Sequence, residues 1–323
     1  MPSSLGWGII GCGDVVFKKS GPSILQAGGS RIVGVMRREA VKARPFAEAN
    51  GIGICTADAG EIIGHPDVDI VYVATPPSSH KQYVLASARA GKHVLVEKPM
   101  GLSAAEDAEM IAACEQAGVE LFVAYYRRFQ PHVLKMKELI DSGRIGSPVT
   151  AQIDYAQPSA PGYDGGWRVQ PEISGGGLFV DVVTHRIDLM IYLLGEPAEV
   201  HGVSATFDPA SRVEEAASLT VRFAGGAICS ACGDFASGRA SDRFVIAGTE
   251  GVIDARRLDG HAFCLSADGA TEEFAFDPYP APHLGLIRHI ECVLAGRETN
   301  MSSGTQGRLT DFILDEGLHR LRA

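Results

Sequence analysis

No apolar run in this chain approaches the length of a membrane span, so nothing in it reads as a segment buried in lipid. An excess of positive charge is missing too. The formal net charge is -10 and the pI is near 5.5, whereas nucleic acid and anionic membrane surfaces are held through basic footprints. Small molecules are therefore the expected partners, with no nucleic acid and no membrane. The opening residues Met-Pro-Ser-Ser run directly into the apolar stretch Leu5 to Ile10. That leaves no room for a basic segment followed by a signal core, and a cytoplasmic location is expected. A disulfide framework is absent as well: seven cysteines, an odd number, are scattered through 323 residues, the pattern of reduced thiols. Cys229 and Cys232 do form a C-x-x-C, but inside a strand-like run and with no second pair, so no metal is expected there. Low-complexity segments are missing, and no Pro/Gly/Ser-rich linker divides the chain, which implies that its halves share a rigid boundary.

What is present is a globular composition, 46% hydrophobic and 21% charged, in a chain too long for one core of ordinary size. Two domains are expected, 1–125 and 126–323. The first alternates strand and helix signals: strands over Leu5 to Ile10, Arg31 to Met36, Asp69 to Ala74, His93 to Glu97 and Glu120 to Ala124, and helices over Glu39 to Asn50 and Ser79 to Ala90. Ser103-Ala-Ala-Glu106 is a capping box that opens a further helix. With a third strand between Met36 and Asp69, six strands with helical crossovers make a doubly wound parallel sheet. After Pro131 a helix runs to about Ile140, and then two-residue alternation dominates: Val149 to Tyr155, Val200 to Phe207, Ala217 to Phe223, Ala227 to Phe235, Arg243 to Ala247, Gly251 to Ala255 and Glu272 to Phe276. These read as a largely antiparallel open sheet with one face wet or covered by a partner. Helices over about Pro282 to Ala295 and Thr305 to Arg320 close the chain. The fold class is α/β followed by α+β.

Polar residues gather at the strand ends of the first domain, where a parallel sheet binds ligands. Gly11-Cys12-Gly13-Asp14 follows the first strand as a glycine turn. Gly11 makes the turn, Gly13 lets a pyrophosphate approach, and the helix beginning near Asp14 and Val15 supplies amides and dipole. Val16 stands where a third glycine is usual. After the second strand come Arg37 and Arg38, with Glu39 only afterwards; arginine suits the extra phosphate of NADP, so NADP is favoured over NAD. Thr75-Pro76-Pro77 and His80 form a rigid turn able to lie along a dinucleotide. Lys98, fixed at a strand terminus between Glu97 and Pro99, is held by the scaffold as a proton-transfer group requires. The alternative is a surface ion pair with Glu97.

In the second domain a helix from about Gly177 to Leu194 carries Asp181, His185 and Asp188 at i, i+4 and i+7, one polar line on an otherwise apolar element. Such a line reads as the wall of a site, since unpaired buried charge is costly; a structural Asp-His pair is the alternative. Three upstream glycines, Gly175 to Gly177, let the chain pass close to a ligand. Arg128, Tyr163 and Arg168 are candidates for recognising hydroxyl groups, with surface placement the alternative for each.

Taken together, Gly11-x-Gly13, Ala74-Thr-Pro-Pro, Gly91-Lys-His-Val-x-x-Glu97-Lys98-Pro99, Trp167-Arg168, Gly175-Gly-Gly177 and Asp181-x-x-x-His185-x-x-Asp188 resemble, in order and spacing, the Gfo/Idh/MocA oxidoreductases. The resemblance covers nearly the whole chain. It implies an N-terminal Rossmann domain binding NAD or NADP, with Glu97 and Lys98 at its edge, and a C-terminal domain whose open sheet joins dimers or tetramers. It also implies sugar-like or cyclitol substrates, with Lys98 and His185 handling the proton while Asp181 holds substrate or tunes the histidine. The Trp167-Arg168 segment with Pro171-Glu172 is similar to the 1,5-anhydrofructose reductases of the family. Two other readings keep the cofactor: an NAD-dependent glycosidase that oxidises and re-reduces one sugar carbon in each cycle, and a non-catalytic nucleotide sensor.

Overall fold

The computed structural model describes residues 4–158 and 165–318. The chain forms two compact units, each made of two stretches: Met1–Tyr126 with Tyr279–Arg308, and Arg127–Pro278 with Leu309–Ala323.

The first unit is built on six parallel strands, β1 (Leu5–Ile10), β2 (Ser30–Met36), β3 (Ile54–Thr56), β4 (Ile70–Val73), β5 (His93–Val96) and β6 (Leu121–Val123), in the order β3-β2-β1-β4-β5-β6. The doubly wound parallel sheet expected from the alternating signals is what forms. Every residue of β4 is buried, because helices cover both faces of such a sheet and leave no wet side. The order reverses between β1 and β4, which creates a crevice at their C-terminal ends.

Local chemistry moves some boundaries. The helix expected over Glu39 to Asn50 is a 3-10 turn, Ala40–Lys42, followed by a separate helix, Arg44–Ala49. Pro45 is the cause: lacking an N–H, it opens a helix and cannot sit inside one. The capping box does form at the helix Ala104–Ala117. Ser103 accepts from the Glu106 N–H, and the Glu106 carboxylate reaches back to the Leu102 N–H at 3.1 Å. The returning stretch is stitched to the sheet: Ser30 Oγ donates to Glu291 on the helix Leu284–Leu294 at 2.6 Å, and Ser302 Oγ donates to the Val123 carbonyl at 2.8 Å.

The second unit carries eight strands: β7 (Pro148–Ala156), β8 (Pro197–Ala205), β9 (Ala216–Phe223), β10 (Ile228–Asp234), β11 (Ser241–Gly248), β12 (Gly251–Ala255), β13 (Ala262–Ala267) and β14 (Ala270–Ala275). Their order is β14-β13-β12-β11-β7-β10-β9-β8, with only β7 and β10 parallel. The largely antiparallel sheet is as expected. β13 is the strand that the alternation did not reveal. Buried and exposed residues alternate strictly through β9 and most of β10. Leu219, Val221, Cys229 and Ala231 face a core with Phe179, Val183 and Ile187, while Ser218, Thr220, Ser230 and Cys232 face outward.

The helix expected over Gly177 to Leu194 is not uniform: Phe179–Val183 is a π-helical turn, and the α-helix proper is Thr184–Leu194. A second π turn, Val16–Ser20, follows the glycine turn of the first unit. Single π turns are frequent at functional sites, and these two interrupt two of the segments that carry candidate residues. All seven cysteines are free thiols. No helix among the described residues is long and apolar enough to cross a membrane.

Candidate active site

The C-terminal ends of β1, β4 and β5 lie side by side and bring three sequence-predicted groups to one edge. Gly11 has φ +94, and a Cβ there would stand 2.6 Å from the Ala74 carbonyl carbon, so neither the backbone angle nor the space admits a side chain. The Gly11 and Cys12 amides both donate to Met36 O at 2.9 Å, pinning the turn to β2. At Gly13, by contrast, a Cβ would meet nothing nearer than 3.8 Å. The approach to this turn is open, as a bulky anion requires. The first N–H groups of the following helix have no partner within it, and they supply the donors and the positive dipole end for a pyrophosphate. Asp14 is exposed and pairs with Lys18 at 2.8 Å, leaving the backbone of Asp14 and Val15 as the part that lies at the turn. These features fit a dinucleotide.

Arg37 turns inward, its Nη1 donating to Cys12 O at 3.2 Å, and thereby braces the glycine turn. Arg38 and Glu39 are exposed, and Glu39 pairs with Lys42 at 2.7 Å. Thr75 Oγ1 accepts from Ser79 Oγ at 2.8 Å, closing the Pro76-Pro77 turn. His80 is fully buried, its Nε2 at 2.7 Å from Thr75 O and its Nδ1 at 3.1 Å from both Pro99 O and Met100 O.

Glu97 and Lys98 follow β5 directly, Glu97 N donating to Val73 O at 2.9 Å. The Glu97 carboxylate accepts the Tyr72 hydroxyl at 2.5 Å and the Lys98 N–H at 3.3 Å. Burial raises its pKa above the ordinary carboxylate value, while Lys98, Tyr72 and Lys19 pull it back. Three further residues at this edge carry no motif that sequence reasoning could use. Tyr126 stacks on His283 with ring centroids 4.5 Å apart, and Lys19 Nζ sits 5.5 Å from the Tyr126 centroid. Burial, with Lys19 and Lys98 as nearby cations, lowers the His283 pKa to about 3, so the ring is neutral at ordinary pH. A depression of about 440 Å³ lies at the opposite edge of this sheet, among Leu5, Val68, Asp69, His93 and Glu291. It contains none of the candidate residues.

In the second unit the polar line on the 181–188 segment divides. Asp181 is half-buried and accepts from Arg168 Nε at 3.0 Å, while Arg168 lies over the Trp167 ring at 4.5 Å. His185 is 8% exposed. Asp188 is wholly buried and takes Arg128 Nε at 2.8 Å and Nη2 at 2.5 Å. Arg128, expected to meet substrate hydroxyls, is itself 1% exposed, and its fork closes on a carboxylate of its own unit. Of the three glycines, Gly177 has a local reason. Gly177 N donates to both Glu214 oxygens, at 2.7 and 2.8 Å, and a Cβ at Gly177 would meet Glu214 O at 2.6 Å. The close neighbour that Gly177 admits is protein. Tyr163 lies outside the described residues. No group of three His, Cys, Asp or Glu side chains arranged for a metal occurs among the described residues. Cys229 is buried while Cys232 is exposed, on opposite faces of β10.

A glycine turn after the first strand of a six-stranded parallel sheet, with a lysine ending the fifth, is a dinucleotide-dependent arrangement, and sequence comparison gives it a family. Residues 5–125 match the oxidoreductase family with an NAD-binding Rossmann fold, and residues 133–254 match the GFO/IDH/MocA C-terminal domain. The chain belongs to the GFO/IDH/MocA family. As a member it is an NAD(P)-dependent oxidoreductase with a Rossmann domain. It is 38% identical to Oxidoreductase P35 of Formosa agariphila over 98% of both chains. It is 33% identical to 1,5-anhydro-D-fructose reductase of Ensifer adhaerens over 78% of this chain and 76% of that one. Among solved structures, a levoglucosan dehydrogenase in complex with NADH and levoglucosan superposes with a TM-score of 0.88 at 25% identity, covering 97% of this chain and 96% of that one.

Proposed function

We propose that this GFO/IDH/MocA protein moves a hydride between NAD(P) and a hydroxyl-bearing carbon of a sugar, cyclitol or related polyol. The carrying observation is the position of Lys98, held at the end of β5 on the sheet edge that also bears the Gly11 and Thr75 turns. The similarity to enzymes named for anhydrofructose and levoglucosan supports the substrate class. The dinucleotide, when bound, accepts or supplies the hydride. The chain's own task is to place the substrate carbon and move one proton. Lys98 and His185 are assigned that proton, and Asp181, oriented by Arg168, holds a substrate hydroxyl or tunes His185. Trp167 and Arg168, both half-buried, remain candidates for hydroxyl recognition.

The test is a panel of 1,5-anhydro-D-fructose, levoglucosan, inositols and aldoses with oxidised and reduced cofactors. Steady change in nicotinamide absorbance is expected with one of them, and Lys98→Ala should cut that turnover by roughly 10² to 10⁴ while cofactor still binds. Release of sugar from a glycoside with no net absorbance change would favour the glycosidase reading instead.

NADP is the proposed preference. With Arg37 engaged at the glycine turn, Arg38 is the exposed cation left for a 2′-phosphate. Arg38→Glu should then lower the NADP/NAD ratio of kcat/KM by at least about tenfold. We further propose that the outward face of β9 and β10, with Thr220, Ser230 and exposed Ile228, pairs with a second copy to give a dimer or tetramer. Light scattering of the purified protein tests this. The free thiols support a reducing, cytoplasmic setting.

A further inference from the structure

We infer that His80 is a positioning residue for the proton transfer at Lys98: its buried imidazole fills the space between the Thr75 turn and the Pro99-Met100 backbone on which Lys98 is carried, within hydrogen-bond distance of both. The inference rests on the proposed role of Lys98.

His80 opens the helix His80–Arg89 and is 0% exposed, so its ring is shut off from solvent. Three backbone carbonyls surround it, Thr75 O at 2.7 Å from Nε2, and Pro99 O and Met100 O each at 3.1 Å from Nδ1. Carbonyl oxygens only accept, so the neutral ring, with one N–H, bonds either Thr75 O through Nε2 or the Pro99 and Met100 oxygens through Nδ1, and only the doubly protonated ring bonds both sides. The tautomer with its proton on Nε2 gives Thr75 its bond. A second proton on Nδ1 would serve Pro99 and Met100, against the cost of burying charge, which lowers this ring's proton affinity.

The location gives these contacts their meaning. Thr75 belongs to the turn that follows β4, and Lys98 to the segment that follows β5. Pro99 has no N–H with which to continue the sheet ladder, so its carbonyl is the group by which that backbone can be gripped. A single buried ring therefore spans the two segments that must hold the cofactor and the proton-transfer amine at a constant separation. A displacement of about 1 Å in such a geometry costs on the order of 10²-fold in rate.

The test separates His80 from Lys98. His80→Phe keeps the ring's volume and removes both nitrogens. It should bind NADH and NADPH within about threefold of wild type by fluorescence titration, yet show kcat reduced by roughly 10- to 100-fold on the substrate found by the panel. His80→Gln places an amide near the Nε2 position and His80→Asn near Nδ1. Each restores the bond on one side only, so each is expected to recover part of kcat and neither all of it. If His80→Phe does not fold, the Gln and Asn pair decides alone. Equal and undiminished kcat in both, or a fall in kcat/KM matched by weaker cofactor binding, overturns the inference. Failure of Lys98→Ala to reduce turnover would instead remove the proposed role of Lys98. A dead Lys98→Ala beside fully active His80 variants would remove only the role of His80.

Discussion

Tyr72 on β4 donates its hydroxyl hydrogen to the Glu97 carboxylate at the end of β5 across 2.5 Å. The phenol is fully buried, so a carboxylate that burial would otherwise disfavour is held by a donor from the neighbouring strand. Tyr72→Phe removes that donor and leaves one oxygen unsatisfied, which should cost about 1–3 kcal/mol in urea unfolding. The pH dependence has a definite sign. Glu97 binds its proton more tightly in the fold than in the unfolded chain, where 4.5 is the reference. Its contribution to stability therefore falls as pH rises from 4.5 through the folded value. The variant, with a donor to the carboxylate gone, should shift that loss to higher pH.

Gly11 and Gly13 are two residues apart and face opposite constraints. Gly11→Ala pushes a Cβ into the Ala74 backbone at a φ of +94, and a loss of several kcal/mol or failure to fold is expected. Gly13→Ala meets nothing within 3.8 Å, so its melting temperature should stay close to wild type. Its Kd for NADH and NADPH, by fluorescence titration, should rise at least about tenfold, because the methyl group stands where the pyrophosphate approaches the turn.

The Arg128–Asp188 pair is buried on both sides, with exposures of 1% and 0%. Removing the carboxylate takes its counter-charge from a buried guanidinium, so Asp188→Asn should lose about 3–5 kcal/mol by denaturant unfolding. The double variant Arg128→Met, Asp188→Leu should regain most of it. A single variant as stable as wild type would show that the pair is not closed to water.

Two buried histidines set an acid limit. His283 is lowered to about 3 by burial with Lys19 and Lys98, and His132 to about 4 by burial with His261 and Arg127. Below pH 6.5 the unfolded chain takes up protons that these folded rings refuse, so stability falls as pH drops and is unaffected by them above that value. Each histidine contributes a slope of up to about 1.4 kcal/mol per pH unit. His283→Phe, which retains an aromatic ring against Tyr126, should flatten the dependence between pH 6.5 and about 3 in urea titrations at stepped pH.

Much of the architecture could be read without coordinates because it is written in short-range patterns. β1 and β12 have the bounds expected for them, since glycine breaks and apolar runs are local signals. The capping box at Ser103 and the glycine turn at Gly11 are equally local. β13 carries a weak signal because its inward Phe263, Leu265 and Ala267 alternate with Ala262, Cys264 and Ser266, of which only the serine is polar. The helix pattern from Glu39 breaks into two short elements because Pro45 outweighs a run of good helix formers.

The sequence by itself determined the alternation of strand and helix, the glycine turn, the lysine at a strand terminus, and the Asp181-His185-Asp188 spacing, since each depends on residues close together in the chain. Only the tertiary structure decided which polar groups are taken up by distant parts of the chain. Asp188 is consumed by Arg128, sixty residues away, Glu97 by Tyr72, and His80 by carbonyls from two separate strand ends. Desolvation and hydrogen-bond satisfaction depend on what lies across space from a side chain. Spacing along the chain does not carry that information.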